Sequence, residues 1–226
     1  IQDGCSQFCT YCIIPYARGP IRSRKPEDVL AEVKKLSQNG FREVILAGIH
    51  VASYGKDLKD TTLLEVIEKV HDVQQIQRIR FSSIEPNIVT EEFVKSLSKL
   101  PKVCDHFHLS LQSGCDKTLK AMNREYDTQK YRQAVSILRK YMKTVAITTD
   151  MIVGFPQETE EDFLESYHFA KEMGFAKIHV FPYSPKKGTP AAAMSGQLEN
   201  AVKNKRSQAL LQLSSDMTEK FLKGFL

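Results

Sequence analysis

Cys5, Cys9 and Cys12 stand in a C-x3-C-x2-C run near the start of the chain. Three thiolates held that closely can bind three irons of a cubane [4Fe–4S] cluster, which normally takes four cysteines. A missing fourth protein ligand leaves one iron open, much as a catalytic metal keeps a free position for its substrate. Two other chemistries use such residues. A zinc site would need a fourth ligand, for which Cys104, Cys115 or a histidine could serve after folding. A disulfide framework would need an oxidising compartment and usually an even number of cysteines in a small domain, whereas this chain has five in 226 residues. Cys104 and Cys115 fit no ligand spacing with the triplet and read as free buried thiols. The histidines form no metal pair, and no acid–base pair stands out as catalytic.

The elements that must position this loop are legible as an alternation. Short β-branched or aromatic runs lie at Glu43–Ala47, Arg78–Ser82, His106–Leu111, Val145–Val153 and Lys177–Pro182, and Ile1–Asp3 reads as the end of another strand. Helix-period segments separate them. One starts at Pro26 with acids in its first turn and stops near Asn39 and Gly40. Others are expected near Leu63–Val73, Glu91–Leu100, Thr128–Tyr141 and Glu160–Met173, with Thr159 and Asp162 forming a capping box, and a long last helix over about 198–222. Strands alternating with such helices mean βαβ units and parallel pairing. The expectation is an α/β fold, an open, partial (β/α)6 TIM-like barrel in one domain over 1–226.

In parallel α/β barrels chemistry gathers at the carboxyl ends of strands. The residues there are Gly48 and His50, Ser83 and Glu85, Gln112, Asp150 and Gly154. Gly48 would let a ligand approach the backbone. Ser83, Glu85, Gln112 and Asp150 offer groups for an ammonium or ribose hydroxyls, Gly154 a backbone contact to an adenine edge, and Tyr11 a ring to pack on that base. Any one of them alone is equally a turn or cap residue.

The net charge of +5 is mild, but two stretches are basic. Ile13–Lys25 holds Arg18, Arg22, Arg24 and Lys25 with no acid, and Ala176–Arg206 holds Lys177, Lys186, Lys187, Lys203, Lys205 and Arg206 against Glu199. Exposed on one face, they would attract phosphate. No apolar run approaches the length of a membrane span. Unpaired cysteines and the lack of a signal segment point to the cytoplasm. Because the first residue is Ile1 and not Met, the chain reads as a piece of a longer protein.

Several segments together resemble the radical S-adenosylmethionine (SAM) methylthiotransferases. The cysteine run continues into Ile13-Ile14-Pro15-Tyr16-Ala17-Arg18-Gly19, and Val51-Ala52-Ser53-Tyr54-Gly55 is similar to the family's V-x-x-Y-G. His108 to Gly114 resembles H-[IL]-P-[IV]-Q-S-G, with Ser110 for the usual proline. Met122 to Tyr126 resembles M-x-R-x-Y. Asp150 to Thr159 resembles D-x-I-V-G-F-P-G-E-T, with Gln157 for the usual glycine. Phe181 to Ser184 and Gly188 to Ala191 are similar to the last barrel segment. Ala17 to Arg24, Gly48-Ile49-His50 and Ser82-Ser83-Ile84-Glu85 look most like the branch that methylthiolates carbon 2 of N6-threonylcarbamoyladenosine in tRNA.

The resemblance implies a radical SAM core in which Cys5, Cys9 and Cys12 hold a [4Fe–4S] cluster whose open iron SAM chelates. It implies cofactor contacts at Tyr11, Gly48, Ser83, Glu85, Gln112, Arg124, Asp150 and Gly154, and phosphate contacts from Arg18, Arg22, Arg24, Lys186 and Lys187. A tRNA substrate, a reductant protein such as flavodoxin and a monomeric state follow, with no membrane partner. It implies further domains outside this chain: an amino-terminal one with a second cluster and a carboxyl-terminal TRAM domain. This core alone would then cleave SAM without completing sulfur insertion. Two competitors are a branch of the family that modifies a ribosomal protein side chain, and a zinc-bearing RNA-binding module without catalysis.

Overall fold

Strand-forming and helix-forming segments alternate along the chain as their periodicity predicts, and the computed structural model, which describes residues 1–225, gives them these bounds. The first half contains β1 (Gln2–Asp3), α1 (Ile14–Arg18), β2 (Arg22–Ser23), α2 (Pro26–Gln38), β3 (Glu43–Leu46), α3 (Leu63–His71), β4 (Arg78–Phe81), α4 (Glu91–Leu97) and β5 (His106–His108). The second contains α5 (Asp116–Ala121), α6 (Thr128–Tyr141), β6 (Ala146–Val153), α7 (Glu160–Met173), β7 (Lys177–Pro182), α8 (Pro190–Ala193) and α9 (Asn200–Lys223). Single 3₁₀ turns lie at Val51–Ser53 and Pro86–Ile88. Among the described residues no helix is long and apolar enough to cross a membrane.

The helix ends follow local chemistry. Pro26 opens α2 with Glu27 and Asp28 in its first turn, where the missing proline N–H costs nothing and acids meet the positive helix end. Its buried face is Val29, Val33 and Ser37, four residues apart. Full capping boxes start α3 (Thr62 with Glu65) and α7 (Thr159 with Asp162). Gly174 stops α7 at a φ of 60°, in the left-handed region that glycine tolerates.

The chain forms two compact units. The first comprises Ile1–Ser6, Ile14–His108 and Ile137–Val145. In it β3 and β4 pair in parallel, Glu43 against Arg78 through Leu46 against Phe81. Val44, Leu46, Ile79 and Phe81 point into a core shared with Val66, Ile67 and Val70 of α3 and Val94 and Leu97 of α4. Burying each such side chain stabilises the fold by about 1.5–3 kcal/mol before chain entropy is counted. At the start, β1 departs from the all-parallel expectation. It makes a parallel bridge from Gln2 to Gly48 but pairs antiparallel with β2, Gln2 against Ser23 and Asp3 against Arg22. Gly4, at a φ of 71°, turns the chain out of β1, and a Cβ there would lie 1.9 Å from the Pro20 carbonyl oxygen. Only glycine fits so close an approach.

The second unit comprises Gln7–Ile13, Leu109–Ser136 and Ala146–Leu226. Its β6 and β7 pair in parallel, Thr148 against Lys177 through Val153 against Pro182. Along β6 buried and half-buried residues alternate, so Thr149, Met151 and Val153 share one face and Asp150 lies on the other. Thr149 is a buried polar residue that is fully used: its Oγ1 donates to the Leu109 carbonyl at 2.6 Å and accepts the Leu111 N–H at 3.0 Å. The long α9 lies along β7, where the Ser214 hydroxyl bonds the Ile178 backbone and the Thr218 hydroxyl donates to the Ala176 carbonyl at 2.7 Å.

Candidate functional site

In the second unit the cysteine loop is held by main-chain and side-chain bonds. The Cys12 N–H donates to the Cys9 carbonyl at 2.9 Å and closes the turn between these two cysteines. Cys9 is buried and Cys12 half-buried. Thr10 is bound on both sides: its N–H and hydroxyl donate to the carbonyls of Met122 at 3.0 Å and Ala121 at 2.9 Å, and its carbonyl accepts the Ala191 N–H at 2.8 Å. Phe8 sits at a φ of 50°, in the left-handed region, with 49% of its surface exposed. That conformation costs a bulky residue about 1–2 kcal/mol. The Asn123 side-chain amide offsets part of it by donating to the carbonyls of Gln7 at 3.2 Å and Phe8 at 3.1 Å.

The sulfur of Cys9 meets a cation. Arg124 Nη1 donates to Cys9 Sγ at 3.1 Å and to the Tyr11 hydroxyl at 3.3 Å. Tyr11 itself packs on the buried group Met122, Phe155, Tyr183 and Ala191, which places its ring against protein side chains. Burial pushes its phenol well above the usual tyrosine range, so it stays a neutral partner to Arg124.

Cys5 belongs to the first unit, where its N–H donates to the Gly19 carbonyl at 3.0 Å and its side chain is half-buried. None of Cys5, Cys9, Cys12, Cys104 and Cys115 is in a disulfide. Among the described residues no three His, Cys, Asp or Glu side chains gather round a single point where one ion could sit. The donor set fits an iron–sulfur cluster on chemical grounds. The thiols are soft and uncrosslinked, and one has a guanidinium aimed at its sulfur, as suits a thiolate in a partly buried loop.

At the strand ends of the first unit, Gly48 makes room for β1. A Cβ there would lie 2.9 Å from the Gln2 carbonyl oxygen. Ser82, which the sequence reading placed in a branch segment without a role of its own, ties the two strand ends together: its Oγ accepts the Gly48 N–H at 3.3 Å. Ser83 is exposed. Glu85 is buried and its Oε2 lies 3.1 Å from His50 Nε2, close enough to pair although not aligned as a hydrogen bond. His50 Nδ1 meets the Ser53 hydroxyl, and the His50 N–H donates to Gln2 Oε1 at 2.8 Å.

In the second unit, Gln112 takes a φ of 69° and bridges to Met151. Its N–H donates to the Asp150 carbonyl and its own carbonyl accepts from Ile152, both at 2.8 Å. A non-glycine residue in that region carries backbone strain, and such strain clusters at functional sites. Gly154, at a φ of 70°, has its N–H committed to the Glu158 carboxylate at 3.1 and 3.2 Å, and a Cβ on it would meet Lys203 Cγ at 2.4 Å. The close approach that this glycine allows is therefore with α9.

The basic stretches divide. Arg22 Nη2 bonds Asp3 Oδ2 at 2.9 Å, Arg18 lies 3.8 Å from the same oxygen, and Arg24 pairs with Glu32. All three arginines remain about half exposed. The Gly4 N–H holds the Asp3 carboxyl below its usual range, with the two arginines adding to the effect. Lys186 and Lys187 are exposed. Lys203 and Arg206 are not part of an exposed basic face as their place in the second stretch suggested. Each is buried, Lys203 over the Tyr183 ring and Arg206 paired with Glu158 at 2.7 Å.

Residues 1–170 match the family model of the Radical SAM superfamily, and the chain belongs to that superfamily. It is 43% identical over 222 residues to the threonylcarbamoyladenosine tRNA methylthiotransferase MtaB of Bacillus subtilis (strain 168), covering 98% of this chain and 49% of that one. It is 45% identical over 216 residues to the tRNA-2-methylthio-N(6)-dimethylallyladenosine synthase of Thermoanaerobacter sp. (strain X514), covering 95% of this chain and 46% of the relative. The chain thus spans about half the length of the curated relatives it matches. Among solved structures it is similar to the radical SAM methyltransferase TsrM from Kitasatospora setae, with a TM-score of 0.69 and 16% identity over 84% of this chain and 37% of that one. It is also similar to methylornithine synthase (PylB), with a TM-score of 0.66 and 13% identity over 94% of this chain and 60% of that one. At such identities the likeness shows the fold. That fold class is the open α/β barrel of parallel strands expected from the sequence.

Proposed function

We propose that this chain is the SAM-cleaving core of an enzyme that methylthiolates carbon 2 of N6-threonylcarbamoyladenosine in tRNA. The observation that carries the reading is the C-x3-C-x2-C loop with Arg124 on its middle sulfur, in a chain whose residues 1–170 match the Radical SAM superfamily. When bound, a [4Fe–4S] cluster at Cys5, Cys9 and Cys12 supplies the one-electron reduction by which SAM is split to a 5′-deoxyadenosyl radical. The chain's own residues bind and orient. Thr10, Tyr11 and Asn123 fix the part of the loop that carries Cys9 and Cys12. Ser83 and Glu85 of the first unit and Gln112 and Asp150 of the second offer hydroxyl, carboxylate and amide groups to SAM. Arg18, Arg22, Arg24, Lys186 and Lys187 contact tRNA phosphates. Flavodoxin or a similar small protein delivers the electron, and the protein works in the cytoplasm as a monomer.

Identity does not separate the two N6 substituents, since relatives of both kinds lie at 43% and 45%. Two segments that look like the threonylcarbamoyl branch support that substituent, and they contribute His50 and Glu85, which lie together in the buried part of the first unit. Segments that mark a branch and also touch are expected to change together. Mass spectrometry of tRNA nucleosides from cells lacking the full gene tests the substrate. Loss of the 2-methylthio form of threonylcarbamoyladenosine is expected, and its persistence would overturn the reading. Anaerobic reconstitution of the chain with iron and sulfide tests the chemistry, with bound iron and 5′-deoxyadenosine as the readouts.

A further inference from the structure

Four consecutive residues at the end of α5, Ala121 to Arg124, grip the cysteine loop, and three of them use means that serve only to hold it. Ala121 and Met122 offer carbonyls to Thr10, and Asn123 offers its amide to the carbonyls of Gln7 and Phe8. Arg124 differs. Its Nη1 lies 3.1 Å from Cys9 Sγ, which carries chemistry, and it brings a full positive charge. The guanidinium is fixed from behind. Its Nε donates to the Tyr126 hydroxyl at 3.1 Å, its carbon sits 4.8 Å from the centre of the Tyr126 ring, and the single proton of that hydroxyl is shared between the Ser110 and Leu111 carbonyls, 2.8 and 3.0 Å away. A loop already held by Thr10 and Asn123 does not need a buttressed cation to stay in place.

We propose that Arg124 is a positioning residue for the iron borne by Cys9 and raises the reduction potential of the cluster. The inference rests on the reading of Cys5, Cys9 and Cys12 as its ligands. Reduction adds one electron to the cluster with no bond made or broken. A cation on a ligand sulfur favours the form with the extra negative charge, and hydrogen bonds to cluster sulfurs and local charge are the levers by which proteins set such potentials. Arg124 thereby eases the transfer of the electron on which SAM cleavage depends. This gives the arginine of the M-x-R-x-Y segment a role directed at the sulfur.

The test is a potentiometric titration with dithionite, followed by the electron paramagnetic resonance of the reduced cluster, on the reconstituted 226-residue chain and on Arg124→Met and Arg124→Lys. Arg124→Met is expected to lower the reduced-to-oxidised ratio at a fixed potential about tenfold, which for a one-electron couple is about 59 mV. Arg124→Lys keeps the charge but loses the fork to Tyr11, so it should fall between that variant and the wild type. A potential unchanged in Arg124→Met overturns the assignment. Where that variant holds no iron, the neutral Arg124→Gln decides: a lowered potential supports the proposal and an unchanged one overturns it. Loss of the cluster from both, with thermal unfolding unaltered, also overturns it, because the contact would then be scaffolding alone. Failure of the wild-type chain to take up iron would instead sink the radical SAM reading beneath it.

Discussion

Arg206 of α9 reaches the loop between β6 and α7 and closes a buried ion pair there. Its Nη1 donates to Glu158 Oε1 at 2.7 Å and to the Glu158 carbonyl at 3.1 Å, and both side chains are only 5% exposed. The same carboxylate accepts the N–H groups of Gly154 and Phe155, so the pair sets the shape of the segment that carries Gly154. Arg206→Met keeps much of the apolar stem beside Phe163 and removes the charge. Breaking a buried pair from one side costs about 3–5 kcal/mol. The two amide donors that remain on Glu158 place the expected loss near the lower end, about 3 kcal/mol. The bond from Nη2 to the half-exposed Glu160 adds little. With a urea slope of about 2–3 kcal/mol per molar, the unfolding midpoint should drop by about 1 M.

The pH dependence gives the sharper check. Burial raises the Glu158 carboxyl above its ordinary value, outweighing the pull of Arg206 and the two amides in the other direction. A carboxyl whose folded-state pKa lies above the unfolded one binds its proton more tightly when folded. Its stabilising contribution is present below the unfolded value of 4.5 and is lost as pH rises through the folded value. Taking Arg206 away moves the folded value further up, so the loss caused by Arg206→Met should be greater at pH 7 than at pH 5. Pairing it with Glu158→Gln removes the uncompensated charge, and the double variant should recover much of the loss and show a flatter pH profile. A loss under about 1 kcal/mol at pH 7, an equal loss at both pH values, or a double variant no better than the single one would refute the reasoning.

Three further expectations concern the frame that holds the site. Gly4→Ala forces a left-handed residue against the Pro20 carbonyl and should destabilise by on the order of 3 kcal/mol, read as a fall in the urea midpoint; an unchanged midpoint would show that β1 is not seated as described. Glu85→Ala removes the buried carboxylate beside His50 and should cost about 1–3 kcal/mol in the same measurement, against a loss of under about 1 kcal/mol if the two groups were solvated. Thr159→Ala removes the hydroxyl that accepts the Asp162 N–H at the start of α7 and should cost about 1 kcal/mol, whereas Thr90→Ala at the shorter α4, which lacks the reciprocal half of the box, should cost less.

What the sequence made legible was local, and what it hid was long-range. The starts of α2 and α7 are written in residues within four positions of each other, Pro26 with its acids and Thr159 with Asp162, so sequence reading reaches them. The antiparallel pair of β1 with β2 was missed because two residues per strand leave no alternation to see. Lys203 and Arg206 looked like part of a basic face because charge patterning assumes solvent, while the acid that buries Arg206 lies 48 residues away. Arg124 was marked by its motif alone, and its target is 115 residues distant. Ser82 and Asn123 lie in marked segments but at positions that name no role, since a serine or an asparagine beside a strand or helix end is usually a turn residue. The cysteine run stands out because C-x3-C-x2-C is a short-range pattern, whereas the groups that bind it, from α5 and α8 at Thr10 and Arg124 at the Cys9 sulfur, lie far off in sequence. In this chain, then, short-range spacing marks the cysteines, and long-range contacts hold the loop that carries Cys9 and Cys12.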